Sequence, residues 1–337
     1  MSYLFYLLFF STFIIGLIVI VKFRQEIGIF LNVLDKPSKN KIHSKITPLI
    51  GALPVFLITL ILLTYGIASN INSNILSIFF ITYFFLILGY LDDRYNINAY
   101  IKLLISLVFL FLIINNNDNL IIKFLYFETF NINLFLGSFS IFFSILCTLL
   151  LMNALNLSDG INGLASGLTS FWFFFIYIYA NKVSDNQIYL ILSILLFINS
   201  IFIIKGKYFL GDSGTLFFGS LTGLNFIYIY NEQLQLQNII FAEKIFILFM
   251  IPGIDMFRLF IIRIFKKRDP FSGDLNHLHH ILFKNYGTKK TLIIYGLIFI
   301  STNVMSYLNI VSSIFIISIY LIIYSIFIIK NKNLSSF

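Results

Sequence analysis

Charge is scarce in this chain. Asp, Glu, Lys and Arg make up 11% of its 337 residues, whereas a soluble domain carries about a quarter. So few charges cannot cover a water-facing surface, and 59% of the residues are hydrophobic, with a mean hydropathy of +0.94. The apolar residues gather in blocks close to the bilayer length of about 20 residues per helix. That excludes a soluble fold. Cysteine is almost absent: Cys147 stands alone inside an apolar block, which rules out an intrachain disulfide and argues against redox chemistry. Basic residues are missing ahead of the first apolar block and follow it as Lys22 and Arg24. A cleavable signal peptide has the reverse charge order, so the first block reads as a retained span. Internal repeats and a soluble domain are missing too, and residues 1–337 read as one integral-membrane domain.

What is present is a series of eleven apolar blocks, near 3–22, 48–67, 75–91, 100–115, 137–155, 163–180, 187–204, 214–230, 242–263, 289–307 and 311–330. They predict an all-α, polytopic transmembrane bundle. The stretch 116–136 is mixed polar and aromatic and reads as an external hairpin or interfacial segment. The net charge of +9 would suggest nucleic acid in a soluble protein; here it reads as loop basicity that sets orientation. With the loop 23–47 cytoplasmic, every Lys and Arg except Lys123, Lys182 and Lys244 falls on that side. The expected topology therefore has the N-terminus outside and the C-terminus in the cytoplasm.

Four polar clusters interrupt the apolar text, and this topology puts all of them on the basic side. They are Asp92-Asp93-Arg94, the run from Asn153 to Gly163, Gly211-Asp212-Ser213-Gly214, and His277-Leu278-His279-His280. All four histidines, His43 included, share that side. Adjacent carboxylates repel unless a cation or proton sits between them, and carboxylates from separate loops are a usual way of holding Mg²⁺. A solvated helix end would account for Asp92 and Asp93 alone, but not for Asp159 and Asp212 in glycine-flanked turns. The blocks starting near 163 and 214 run from inside to outside, so their helix N-termini offer N–H groups to a phosphate. Gly160, Gly163 and Gly167 are expected to share a helical face, with packing between helices as the plainer account of Gly167. Asn153 and Asn156 also share a face and suit a base, a sugar or a neighbouring helix. Asp255 lies deep in its block behind Pro252-Gly253 and is either functional or bonded to the backbone that Pro252 breaks. The histidine spacing, without a cysteine partner, does not fit common zinc patterns; beside Lys266, Lys267, Arg268 and Lys284 it suits phosphate or a nucleotide.

These clusters, in this order, resemble the polyprenyl-phosphate N-acetylhexosamine-1-phosphate transferase family. The likeness runs from Asp35-Lys36-Pro37, His43 and Thr47-Pro48 through the Asp pair, the Asn/Asp run and Gly-Asp-Ser-Gly to His-Leu-His-His. It implies attack by a polyprenyl phosphate on the β-phosphorus of a UDP-N-acetylhexosamine, with release of UMP. It further implies Asp212 as a metal ligand, and Asp92 and Asp93 as catalytic groups of the metal site or the acceptor. Asn156, Asp159 and Asn162 would lie near the nucleotide and His277, His279 and His280 near the donor, with Lys45 of the first loop as a further substrate-binding residue. The cofactor implied is Mg²⁺, with Mn²⁺ as a substitute; the partners are the UDP-sugar, the polyprenyl phosphate and the bilayer, without nucleic acid, and a homodimer is left open. The implied location is the bacterial inner membrane with the site facing the cytoplasm.

Three positions depart from the family's pattern. Asn162 stands where many relatives carry aspartate, Leu275 where they often carry a basic residue, and Ala52 where a glycine is common. If a positive charge is needed near Leu275, then Arg263, Arg268 or Lys284 must supply it. The short Thr47–Gly51 segment and the His-x-His-His pattern look more like enzymes that start with N-acetylglucosamine or a related amino sugar than like the phospho-MurNAc-pentapeptide transferase of peptidoglycan synthesis, which is the alternative within the family. A transporter and a membrane metallohydrolase are the competing classes, but transporters tend to place polar sites near the midplane.

Overall fold

The structure, a computed structural model, describes residues 3–37, 45–68, 71–270 and 276–330. His43, Lys39, Lys41, Leu275 and Lys332 fall outside the described residues. Twelve α-helices appear among those described: α1 (Tyr3–Lys22), α2 (Arg24–Leu31), α3 (Leu53–Ala68), α4 (Ser73–Tyr95), α5 (Ala99–Asn115), α6 (Ser140–Ser158), α7 (Leu164–Tyr179), α8 (Gln187–Ile204), α9 (Gly211–Gln235), α10 (Ala242–Phe265), α11 (Leu278–Tyr307) and α12 (Ser313–Lys330). Each of the eleven apolar blocks coincides with one of them. Two small antiparallel pairs complete the fold: β1 (Leu34–Asp35) with β2 (Thr47–Pro48), and β3 (Phe124–Phe127) with β4 (Ile132–Phe135). The second pair is the hairpin that the mixed stretch 116–136 predicts.

The helices α4, α8, α10, α12 and the segment Gly137–Ser158 are long and apolar enough to cross a membrane; α3, α5, α7 and Phe9–Lys22 are shorter apolar helices. The helix at the centre is less apolar. α9 carries Gly, Ser, Thr and Asn and is buried along most of its length against α4, α6 and α7. Its small residues permit that approach: a Cβ on Gly219 would lie 2.8 Å from the Met152 backbone. Its hydroxyls bond back to their own helix, Ser220 to the Phe217 carbonyl and Thr222 to that of Phe218, so burial leaves them satisfied. Lipid-facing apolarity therefore belongs to the outer helices, and the inner one is free to carry polar residues.

Three expectations are corrected. The block 48–67 begins too early, because Thr47 to Gly51 is extended: β2 pairs with β1, Leu49 bridges Phe209, and the Gly51 N–H donates to the Phe209 carbonyl at 2.8 Å. That ladder ties the first loop to the start of α9. Gly160 and Gly163 do not share a helical face with Gly167, since α7 starts only at Leu164. Gly163 is the turn residue, with φ +85° and Ile204 pressed against it. Gly167 has open space where a Cβ would stand, so packing does not account for it.

The third concerns Asp255. Pro252 lies inside α10 and, lacking an N–H, frees the carbonyl four residues back. That carbonyl belongs to Leu248 and accepts the indole N–H of Trp172 at 3.1 Å. Trp172, not Asp255, satisfies the broken backbone. α11 is interrupted as well, at Gly287 with φ 72° and ψ 173°, which separates the histidine-bearing first turns from the apolar remainder.

Candidate active site

The four polar clusters converge at one end of the bundle. Asp92 and Asp93 occupy the last turn of α4, where consecutive residues of a helix point about 100° apart, and they do different things. Asp92 is 6% exposed and takes an ion pair from the Lys102 ammonium of α5; the same Nζ lies 2.7 Å from Asp212 Oδ2. Asp93 turns to the backbone of α9. Its Oδ1 accepts from the Asp212 N–H at 2.8 Å and its Oδ2 from the Ser213 N–H at 2.9 Å. A carboxylate from one helix thereby caps the N-terminus of another. The approach depends on two glycines. A Cβ on Gly89 would fall 2.3 Å from the Asp212 carbonyl oxygen, and one on Gly211, whose φ is +72°, would meet Asp93 Oδ2 at 2.8 Å.

This geometry corrects the expectation that the α9 N-terminus is open to phosphate: its first N–H groups are occupied by Asp93. The start of α7 has no side-chain cap from Gly163; its first N–H, that of Leu164, donates to the Ile161 carbonyl at 3.0 Å.

Asp159 closes α6 and stands beside Asp212 and Asp93, with the Gly211 N–H directed at it. Burial, then the neighbouring Asp212 and Asp93 charges, pushes its carboxyl well above the ordinary range. Asp212 is raised too, by burial first and by Asp92 and Asp93 after it, with Lys102 pulling the other way. Carboxylates in this state need a cation or a proton between them. Asp92 and Asp212 already share one ammonium, their oxygens come from separate helices, and Asp159 adjoins them. This set fits a hard divalent ion such as Mg²⁺, which takes oxygen ligands and retains water.

Asn156 accepts from the Thr215 hydroxyl at 3.0 Å, joining α6 to α9 just below the carboxylates. Asn162 is half-buried in the turn before α7. The histidines arrive from the other side. A Cβ on Gly160 would stand 2.6 Å from His279 Nε2 and 2.7 Å from His280 Nε2, so only glycine lets the α6–α7 turn meet the histidine run. Burial, followed by the neighbouring histidines, holds the His279 ring well below the usual imidazole range, and it is neutral near pH 7. Asp255, His277 and His279 offer ligand atoms within 4.8 Å of one another. Asp255 also accepts from Arg258, Tyr324 and the Leu278 N–H. Lys45 is exposed beside β2, on the loop that Leu49 ties to Phe209.

Sequence reasoning missed Lys102, Gly89, Arg258 and Tyr324 as parts of this site. Lys102 was recoverable: an ionisable residue just inside an apolar block is a functional signal. Gly89 and Tyr324 carry no such mark, because nothing in their local sequence announces a helix distant along the chain.

Known proteins share this chain's pattern. A sequence model described as glycosyl transferase family 4 matches residues 75–230, which contain Asp92, Asp93, Lys102, Asn156, Asp159 and Asp212. A Bacillus subtilis protein named probable undecaprenyl-phosphate N-acetylglucosaminyl 1-phosphate transferase is 29% identical over 325 residues, covering 92% of this chain and 87% of that protein. Undecaprenyl-phosphate alpha-N-acetylglucosaminyl 1-phosphate transferases of Escherichia coli O157:H7 and Thermotoga maritima are 27% and 25% identical, over 78% and 77% of this chain and 72% and 76% of theirs.

Proposed function

We propose that this chain, which matches the glycosyl transferase family 4 model over residues 75–230 and resembles undecaprenyl-phosphate N-acetylglucosaminyl 1-phosphate transferases along most of its length, transfers N-acetylhexosamine 1-phosphate, with GlcNAc 1-phosphate favoured, from a UDP-sugar to undecaprenyl phosphate, releasing UMP. The observation that carries this reading is the convergence of Asp92 and Asp212 on the Lys102 ammonium, with Asp159 beside Asp212 and Asp93. Phosphoryl transfer asks mainly for positioning and charge neutralisation. In the reaction, an oxygen of the acceptor phosphate forms a bond to the donor β-phosphorus. The bond from that phosphorus to the bridging oxygen breaks, and UMP leaves with the oxygen.

Bound at Asp92 and Asp212, Mg²⁺ would neutralise the charge that develops on the phosphates. Lys102 supplies a second positive charge within reach of the same carboxylates. Asp93 holds the Asp212 backbone in place. Asp159, Asn156 and Asn162 line the nucleotide side, and His277, His279 and His280 bind the donor. Lys45 offers a further contact for an anionic substrate. The acceptor chain has a complementary surface in an apolar cavity of about 920 Å³ between α6, α9, α10 and α12. That cavity runs from Ala154 and Arg258 near the site to Phe127 and Phe130 of the hairpin.

The finer topology belongs to this reading: one transferase domain of eleven spans in the inner membrane, N-terminus outside, C-terminus and site in the cytoplasm. Sorting of the basic residues supports it, and Lys123 and Lys244 pair with Asp118 and Glu128 on hairpin-side segments, away from the carboxylates. Purified protein tests the reaction: UMP should appear only when the UDP-sugar, polyprenyl phosphate and Mg²⁺ are all present. Release without the lipid would mean a hydrolase, and no release with any UDP-sugar would refute the transferase.

A further inference from the structure

Asp255 stands in α10 below the site, 3% exposed, and the backbone break at Pro252 does not need it. Its partners all belong to the histidine end of the molecule. His277 Nδ1 lies 2.8 Å from Oδ2, and the Leu278 N–H, the first of α11, lies 3.1 Å from both oxygens. Arg258 reaches Oδ1 at 3.0 Å and Tyr324 of α12 donates to it at 2.6 Å. Tyr324 in turn accepts from Arg258 Nε at 2.6 Å, and the same guanidinium donates to the Asn276 carbonyl at 2.6 Å. The carboxylate thus fixes both the ring and the backbone of His277 and Leu278 from three helices.

A carboxylate only accepts, so Nδ1 of His277 must carry the hydrogen of this bond. The ring's working atom is then Nε2. Among the described residues that atom is buried without a hydrogen-bond partner, as is His279 Nε2, and an orphaned buried polar atom costs about 1–3 kcal/mol. Two such nitrogens side by side, in rings stacked 5.3 Å apart, with His279 against Gly160 of the nucleotide-side turn, mark a place meant for a polar ligand.

We propose that Asp255 is a positioning residue for donor binding: through Nδ1 it sets the His277 ring so that Nε2 meets the donor, and Arg258 and Tyr324 brace it, tying the last helix to the site. The inference rests on the transferase reading and narrows it. An outer partner that orients a binding histidine commonly matters about as much as the histidine itself. Asp255→Asn would turn an amide N–H₂ toward Nδ1, invert the tautomer and leave Nε2 carrying the hydrogen.

The test uses full-length protein in detergent, with UDP binding by calorimetry and UMP-release kinetics for wild type, Asp255→Asn, His277→Gln, the double variant and Tyr324→Phe. Wild-type protein that neither binds UDP nor releases UMP would sink the transferase reading, and this proposal with it. Given a working wild type, Asp255→Asn should raise the KM for the UDP-sugar about tenfold and leave the KM for polyprenyl phosphate within twofold. On the His277→Gln background the same change should cost less than twofold, because both act through one ring. Tyr324→Phe should raise donor KM about threefold by the same route, and it carries the test should Asp255→Asn fail to fold. Multiplicative effects of Asp255→Asn and His277→Gln, or a fall in kcat with donor KM and UDP affinity unchanged in both Asp255→Asn and Tyr324→Phe, would overturn the assignment.

Discussion

Gly89→Ala adds one methyl group three residues before the nearest catalytic carboxylate, and the structure says what that methyl would meet. The new Cβ would lie 2.3 Å from the Asp212 carbonyl oxygen and 2.5 Å from the Ser213 Cα. Both are backbone atoms in the first turn of α9, so no rotamer change relieves the overlap. Ordinary carbon contacts lie at about 3.5–4.0 Å, so α4 and α9 must part there by about 1 Å. Overpacking of that kind costs about 1–3 kcal/mol, which a large bundle survives. Function should suffer more. Asp212 would move away from Asp92 and Lys102, and the two N–H bonds to Asp93 would lengthen. A displacement of about 1 Å at a reacting centre can cost about 100-fold. The expected result is a fall in UMP release of about that size with folded, monodisperse protein. Gly296→Ala is the control, since among the described residues nothing lies within 4 Å of its Cβ, and it should match wild type. Activity of Gly89→Ala within threefold of wild type would refute the argument that helix approach at this point sets the carboxylate geometry.

Three further outcomes are expected. Asp212→Asn should abolish turnover in the UMP assay while the detergent melting temperature stays close to wild type, because the Asp93 bonds go to the residue 212 and 213 backbones, not to the side chain; half-normal activity at ordinary Mg²⁺ would contradict its role. Lys102→Gln removes the ammonium that Asp92 and Asp212 share, so Mg²⁺ should raise the melting temperature of the variant more than that of wild type; equal shifts would mean that the ion sits elsewhere. Trp172→Phe leaves the Leu248 carbonyl without its donor and should destabilise by about 1–3 kcal/mol, read by denaturation, with substrate KM values unchanged.

The ladder between Thr47–Gly51 and Phe209 shows how a departure from helical expectation can serve a site. Hydropathy reads Pro48 to Gly51 as the start of a span, since Pro-Leu-Ile-Gly is apolar. The segment is instead an extended strap that fixes the chain entering α9. Its N–H and carbonyl groups find partners there, as buried backbone must.

By itself the sequence determined the class of the protein and the inventory of its site. Apolar blocks of bilayer length become helices, because lipid offers no hydrogen bonds to an open backbone, and each block forms one along most of its length, Pro48 to Gly51 excepted. Acidic, amide and imidazole residues are costly in such a chain, so Asp92, Asp159, Asp212 and the histidine run were conspicuous. What each of them touches was decided by the tertiary structure alone. Asp92 and Asp93 are neighbours in sequence, yet the helix turns one toward Lys102 and the other toward the backbone of α9. Asp255 lies behind a proline, yet Trp172 serves the proline and Asp255 serves His277. Hydropathy depends on single residues and their spacing, whereas hydrogen-bond partners come from other helices, 10 positions away for Asp92 and Lys102 and 119 for Asp93 and Asp212, whose register is set by where glycines let two backbones meet.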